Sequence, residues 1–200
     1  MTLVLENRED EMSGEVQQRI RYANTRLQEY VDQILYFSRV NCEHKDYLFE
    51  ETMLYDCVEE VLFDYGYFLK EKGIQVVQKL EGQKVFTDRK GLEFMIRQAV
   101  ANAIKYIPGE QEEKRIEFKA EEREDVIILK IRDNGIGVPQ ADLPFVFDKG
   151  FAGENGTENK KSTGMGLYLL KEMAKSLNIT CRAVSAPQEG FCIELCFPVV

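Results

Sequence analysis

The sequence predicts an α+β fold: a two-layer α/β sandwich in which helices cover one face of a mixed sheet, preceded by a long helix of a bundle. Three observations carry that expectation. Strand-like and helix-like patterns alternate from residue 46 onward. Several of the strand candidates are close enough in sequence to pair antiparallel. Residues 16–40 carry an unbroken heptad seam. The expected division is a partial bundle over 1–41 and a sandwich domain over 46–200.

The elements follow in order. Residues 1–7 read as the remnant of an earlier helix, and "REDEMSGE" as a polar connection. In "VQQRIRYANTRLQEYVDQILYFSRV" the apolar or small residues Val16, Ile20, Ala23, Leu27, Tyr30, Ile34 and Phe37 are spaced 4 and 3 in strict alternation. One isolated helix cannot bury such a stripe, so a partner is implied; the plain alternative is an ordinary amphipathic helix lying on a globular core. "NCEHKDY" at 41–47 breaks the pattern and is a candidate hinge. "YLFEE" is a short strand, and "MLYDCVEEVLFDYGYFLKEKG" is an amphipathic helix closed by Gly73. "IQVVQKL" and "KVFTD" are strands, and Asp88 is placed to cap the helix "RKGLEFMIRQAVANAIKY". "RIEFKAEE" and "DVIILKIRDN" are two strands joined by a charged turn. A polar, Gly-rich region fills 133–164, a helix follows over about 165–177, and "ITCRAVSA" and "GFCIELCFPVV" close the chain as a hairpin around "PQEG".

Composition narrows the function. A net charge of -9 and a pI near 4.9 argue against a nucleic-acid partner, which needs clustered cations to displace counterions. Five cysteines, an odd count in a chain this long, suggest a reducing cytoplasm rather than a disulfide scaffold. Cys192 and Cys196 share a strand face, but four strand residues span about 13 Å, so they read as small buried side chains and not as a redox pair. No apolar run is long enough to span a membrane, and "ENRED" interrupts any signal peptide.

Four stretches carry possible chemistry. In "NAIKY", Asn102 offers a neutral oxygen suited to Mg²⁺, Gln98 lies one turn earlier on the same face, Lys105 supplies a cation and Tyr106 a ring. Taken alone, these are commonplace at a helix end. "DNGIGVP" follows a strand directly. Asp133 can accept from an amine, while Gly135 and Gly137 allow close approach of a ligand; the plain alternative is a turn. "FVFDKGFAGENG" sets Phe145, Phe147 and Phe151 around a polar loop. "STGMGL" puts Gly164 and Gly166 at a helix start just after Lys160 and Lys161, an anion site by geometry. Neither the Walker pattern nor the dinucleotide-binding glycine pattern is present.

The ordered set "NAIKY", "DNGIGV", "FVFDKGF", "STGMGLYL" resembles the N, G1, F and G2 boxes of the sensor histidine kinase catalytic domain, which shares its ATPase superfamily with gyrase, MutL and the heat-shock chaperone ATPases. The resemblance covers about residues 46–200. The helix at 16–40 resembles the second helix of that family's dimerisation and phosphotransfer bundle. "FDKGFAGENG" followed by "STGMGLYL" is also similar to the small membrane-anchored kinases that respond to peptide antibiotics.

The resemblance implies Mg-ATP as the cofactor and transfer of its γ-phosphoryl group to a histidine, for relay to a response regulator. Asn102 would be the Mg²⁺ ligand, and Gln98 would assist the metal or polarise the attacking imidazole, although a glutamine is a poor general base. Lys105 would meet a phosphate and Tyr106 would stack on adenine. Asp133 would accept from the adenine amino group, with Gly135 and Gly137 shaping the pocket. Phe147 would anchor a lid over 148–163. Thr163, Gly164 and Gly166 would border the triphosphate, and Leu167 would close the adenine pocket. Lys149, Lys160 and Lys161 are candidate lid cations. The resemblance further implies a homodimer through the helix at 16–40 and a full-length protein anchored in a bacterial inner membrane with this portion in the cytoplasm.

The chain departs from the family at one point. Its only histidine is His44, which lies after the second helix, and the acceptor motif with its nearby Glu or Gln and Pro is missing. A metal site from Cys42, Glu43 and His44 would need distant ligands. The chain therefore reads as a fragment that begins after the acceptor, binds ATP and does not phosphorylate itself. Two other readings stand beside the kinase: a non-catalytic, nucleotide-gated interaction module, and a gyrase-like ATPase, whose relatives place an acidic residue where Gln98 stands.

Overall fold

The computed structural model describes residues 16, 27, 30, 31, 33–36, 47–151 and 163–199. The chain divides into two compact units, Met1–Asn41 and Cys42–Val200. In the first unit every described residue has helical backbone. Val16, Leu27, Tyr30 and Ile34 of the heptad stripe, and also Val31 and Leu35, are exposed, while Tyr36 is half-buried. The heptad positions Ile20, Ala23 and Phe37 lie outside the described residues, as does the candidate hinge from Asn41 to Asp46 with Cys42, Glu43 and His44.

The second unit runs β1 (Phe49–Met53), α1 (Leu54–Glu71), β2 (Ile74–Lys79), β3 (Lys84–Asp88), α2 (Arg89–Tyr106), β4 (Lys114–Arg123), β5 (Val126–Asp133), a short 3-10 turn (Leu143–Phe145), α3 (Gly166–Ser176), β6 (Thr180–Ser185) and β7 (Phe191–Pro198). Local chemistry sets both ends of α2. Asp88 is extended and its Oδ1 accepts from the Gly91 N–H at 2.7 Å, capping α2. The same carboxylate accepts from the Leu48 N–H through Oδ2 at 2.8 Å and so also ties down the entry to β1. Helix α2 stops at Tyr106 because Ile107 precedes Pro108, and a residue before proline is driven to extended backbone; Ile107 has ψ 120°.

Five strands form one sheet in the order β2-β4-β5-β7-β6. β2 runs parallel to β4, and the other neighbours are antiparallel. The parallel pair is joined by a crossover containing α2, as a parallel connection requires. Helices α1, α2 and α3 pack on one face of this sheet. The core between the layers holds fully buried side chains from the helices, such as Val58, Met95, Leu170 and Met173, and from the sheet, such as Phe118, Leu129, Leu195 and Phe197. The expected two-layer mixed sandwich is therefore present. Two strands stand apart from it: β1 and β3 pair antiparallel in a separate two-stranded sheet.

Strand β7 alternates over most of its length, with Cys192 the exception. Phe191, Ile193, Leu195 and Phe197 are buried, while Glu194 and Cys196 on the other side are half-buried. Cys192 is buried and free, and Cys196 is free but only half-buried, so the expectation of two buried thiols holds for one of them. No helix among the described residues is long and apolar enough to cross a membrane.

Candidate functional site

Helix α2 is the wall on which the site is assembled. Gln98, Asn102 and Tyr106 are four apart, so they line one stripe of the helix. At the end of that stripe the Tyr106 carbonyl accepts from the Ile136 N–H at 3.2 Å, holding the loop after β5 against the helix terminus. Gly135 permits that contact, because a Cβ there would lie 2.5 Å from the same carbonyl oxygen. At the start of the stripe, Gln98 meets the first turn of α3: a Cβ on Gly166 would lie 2.8 Å from Gln98 Oε1. Asn102, half-buried, therefore lies between the two glycine-bearing segments.

The loop after β5 is also held from the other side. Asp133, the last residue of β5, is buried, and its Oδ1 accepts from the Gly135 N–H at 2.8 Å and the Phe191 N–H at 3.2 Å. Both bonds fall on one oxygen, Oδ1. Burial pushes the Asp133 carboxyl up to about 6, and the two backbone N–H groups pull against that rise without cancelling it. Gly137 has φ +68°, and a Cβ there would fall 2.0 Å from the Ala186 carbonyl oxygen. The Val138 N–H donates to Ser185 Oγ at 2.8 Å, and that hydroxyl donates to the Gly190 carbonyl at 2.7 Å. In the sequence "PQEG" reads as a plain turn and Ser185 carries no signal, yet both fix this loop. No motif marks a serine whose partners lie across a hairpin.

Helix α3 opens without a side-chain cap; Met165 holds the cap position, and the first intrahelical bond runs from the Leu169 N–H to the Met165 carbonyl at 2.9 Å. Its first-turn N–H groups are thus available to an anion. Ahead of it, the exposed Thr163 accepts from the Met165 N–H through Oγ1 at 3.4 Å, and the Gly150 N–H donates to the Gly164 carbonyl at 3.1 Å. That bond draws together the two ends of the segment from 150 to 164. Residues 152–162, with Lys160 and Lys161, lie outside the described residues.

The remaining predicted residues fall nearby or on the rim. Lys105 Nζ lies 2.9 Å from Tyr106 Oη and 4.4 Å from the ring centroid, so cation and ring form one unit at the end of α2. Phe147 is buried, with Lys171 Nζ 5.3 Å from its ring centroid. Phe145 is exposed and meets the Phe151 ring at 6.4 Å. Leu167 is half-buried, and Lys149 is exposed.

A protein-family model described as the histidine kinase-, DNA gyrase B- and HSP90-like ATPase matches residues 87–200. Sensor histidine kinase YxdK of Bacillus subtilis (strain 168) is 30% identical over 198 residues, covering 98% of this chain and 59% of that protein. Sensor protein BceS of the same organism is 31% identical over 199 residues, covering 100% of this chain and 58% of that protein. This chain thus spans less than two thirds of these curated relatives, 59% and 58% of their lengths. Among solved structures, Acinetobacter baumannii histidine kinase AdeS superposes with a TM-score of 0.67 at 21% identity, over 84% of this chain and 76% of that one. At that identity the likeness speaks for the fold.

Proposed function

This chain belongs to the histidine kinase-, DNA gyrase B- and HSP90-like ATPase family, and from that premise we propose that it is the ATP-binding catalytic part of a sensor histidine kinase. It transfers the γ-phosphoryl group of Mg-ATP to a histidine, for relay to a response regulator. The observation that carries this reading is the stripe on α2, where Asn102 lies between the Gly135 loop held by Tyr106 and the uncapped start of α3 beside Gln98.

The residues fit the nucleotide. Asp133 offers its carboxylate to the adenine amino group, and Tyr106 and Leu167 enclose the base. Among the described residues no cluster of three or more His, Cys, Asp or Glu side chains could hold a metal. A cation here would rest on phosphate oxygens and the Asn102 amide oxygen, a donor set suited to Mg²⁺. Bound Mg-ATP supplies the phosphoryl group and the charge that neutralises it. The chain supplies position: Thr163, Gly164 and Gly166 border the triphosphate, α3 presents its open N–H groups, and Lys105 leaves the Tyr106 hydroxyl for a phosphate oxygen. Phe147 anchors the lid, and Lys149, Lys160 and Lys161 are its candidate cations. Gln98, an amide, orients rather than removes a proton, and assists the metal or the acceptor imidazole.

The exposed stripe residues Val16, Leu27 and Ile34 support a homodimer through the helix at 16–40. In the full-length protein this part works in the cytoplasm beneath a membrane anchor. With no acceptor motif, this chain binds ATP and does not phosphorylate itself. Gln98 also favours a second reading, a nucleotide-gated module without transfer, and counts against a gyrase-like ATPase.

The test is to give this chain Mg-ATP and a separate acceptor-bearing bundle. Phosphohistidine is expected on the bundle and none on this chain, and Asn102→Ala abolishes the transfer. Tight binding without transfer would support the gate, and steady turnover the ATPase.

A further inference from the structure

The face of the five-stranded sheet turned away from the helices carries charge of the opposite sign to the chain. Lys79 on β2, Arg115, Lys119 and Arg123 on β4, Lys130 and Arg132 on β5, and Arg182 on β6 share it by register. Its carboxylates are Glu117 and Glu121 on β4 and Glu194 on β7. That face is net +4 in a chain of net -9, so everything else carries -13.

Exposure sharpens the imbalance. The three glutamates are only 20–25% exposed and are taken up in ion pairs, Glu117 with Lys79, Glu121 with Lys119, Arg123 and Lys130, and Glu194 with Lys130. Lys79, Lys119 and Arg123 stand 48–62% exposed above them. Arg115 and Arg182 are exposed and make no ion pair among the described residues, and the Arg132 guanidinium donates only to the Glu189 carbonyl, at 3.2 Å. Guanidinium groups without carboxylates are disposed to bind planar oxyanions in pairs of hydrogen bonds.

We infer that this outer sheet face is a docking surface for an acidic protein segment lying across the strands. Five strands at the usual spacing are about 19 Å wide, the length of about six extended residues. The shape of the charge favours such a segment over an anionic membrane. Exposed Glu112 and Glu113 stand at one end of β4, and Glu124 and Asp125 at the other. A flat bilayer would meet both acidic borders, whereas a narrow chain meets only the cations between them. The attraction is short-ranged, because at physiological salt fields fade over about 8 Å.

The experiment measures fluorescein-labelled octaglutamate binding by anisotropy, with saturating Mg-ATP present to occupy other anion sites. Saturable binding is expected that weakens between about 0.02 M and about 0.15 M salt. The triple variant Arg115→Gln, Lys119→Gln, Arg182→Gln should weaken it about tenfold and leave nucleotide affinity unchanged. Should that variant fold poorly, Arg115→Gln with Arg182→Gln, neither of which breaks an ion pair, must still weaken it. Lys70→Gln with Lys175→Gln, on the helices, must not. Absence of binding, or equal binding by the triple variant, overturns the inference. So does binding to phosphatidylserine–phosphatidylcholine vesicles without binding to octaglutamate.

Discussion

Gly164 and Gly150 touch backbone to backbone. A Cβ on Gly164 would lie 2.4 Å from the Gly150 carbonyl carbon, and Gly164 has φ +63°. Both the close approach and the left-handed backbone exclude a side chain at this point. The clash is with main chain, so it can be relieved only by parting the ends of the segment from 150 to 164 and losing the Gly150–Gly164 hydrogen bond. Opening a loop costs far less than opening a core. Gly164→Val should therefore lower nucleotide affinity about tenfold while stability falls by less than about 1 kcal/mol. Calorimetric titration with ATP beside a urea melt checks it, and a large stability loss at unchanged affinity would refute it.

Gly166 differs, because its neighbour is the end of a flexible side chain. In the parent protein, Gly166→Ala gains helix propensity and loses room against Gln98 Oε1, so its net effect is small. With Gln98→Ala the obstacle is gone, and the same substitution should stabilise by about 0.5–1 kcal/mol. Urea melts of the four members of this cycle measure the coupling, and strict additivity would show that the two residues do not meet.

Asp133 sets a pH dependence of known sign. Its carboxyl is raised to about 6 in the folded chain by burial, above the ordinary 3.8. Its contribution to stability is therefore fully present below the unfolded value and is lost as pH rises through about 6. Nucleotide affinity should run the other way, weakening as the carboxylate is protonated below about 6. Asp133→Asn keeps an acceptor for Gly135 and Phe191, removes both trends, and costs about ten- to a hundredfold in affinity at neutral pH. Paired melts and titrations from pH 5 to pH 8 provide the check.

Asp88 joins two elements with one side chain, accepting from Gly91 on α2 and from Leu48 before β1. Asp88→Ala should cost about 1–2 kcal/mol, and Asp88→Asn, which can keep the cap, less. Denaturant midpoints at constant slope measure both.

The site is partly readable in the sequence because its glycines and polar residues come in short ordered boxes. Asn102, Asp133 and the paired glycines can be named as candidates from the resemblance that those ordered boxes carry. What each glycine faces cannot. Gly135 abuts Tyr106, Gly137 abuts Ala186, and Gly166 abuts Gln98, and each of those partners lies tens of residues away. Ser185 and Gly190 escape notice for the same reason: the Ser185 hydroxyl accepts from Val138 in the Asp133 loop and donates to the Gly190 carbonyl across the hairpin turn.

From the chain alone came whatever short-range physics decides: the span of α2 from its Asp88 cap to Tyr106, and the boxes themselves. Such features depend on hydrogen bonds and side-chain period within a few residues. Tertiary packing alone decided that β1 and β3 leave the main sheet and that β2 lies parallel to β4. It also decided that Asn102 lies between two loops and that scattered cations from four strands gather on one face of an acidic chain. Strand order and shared faces arise when distant segments bury a common core, and no local pattern carries that information.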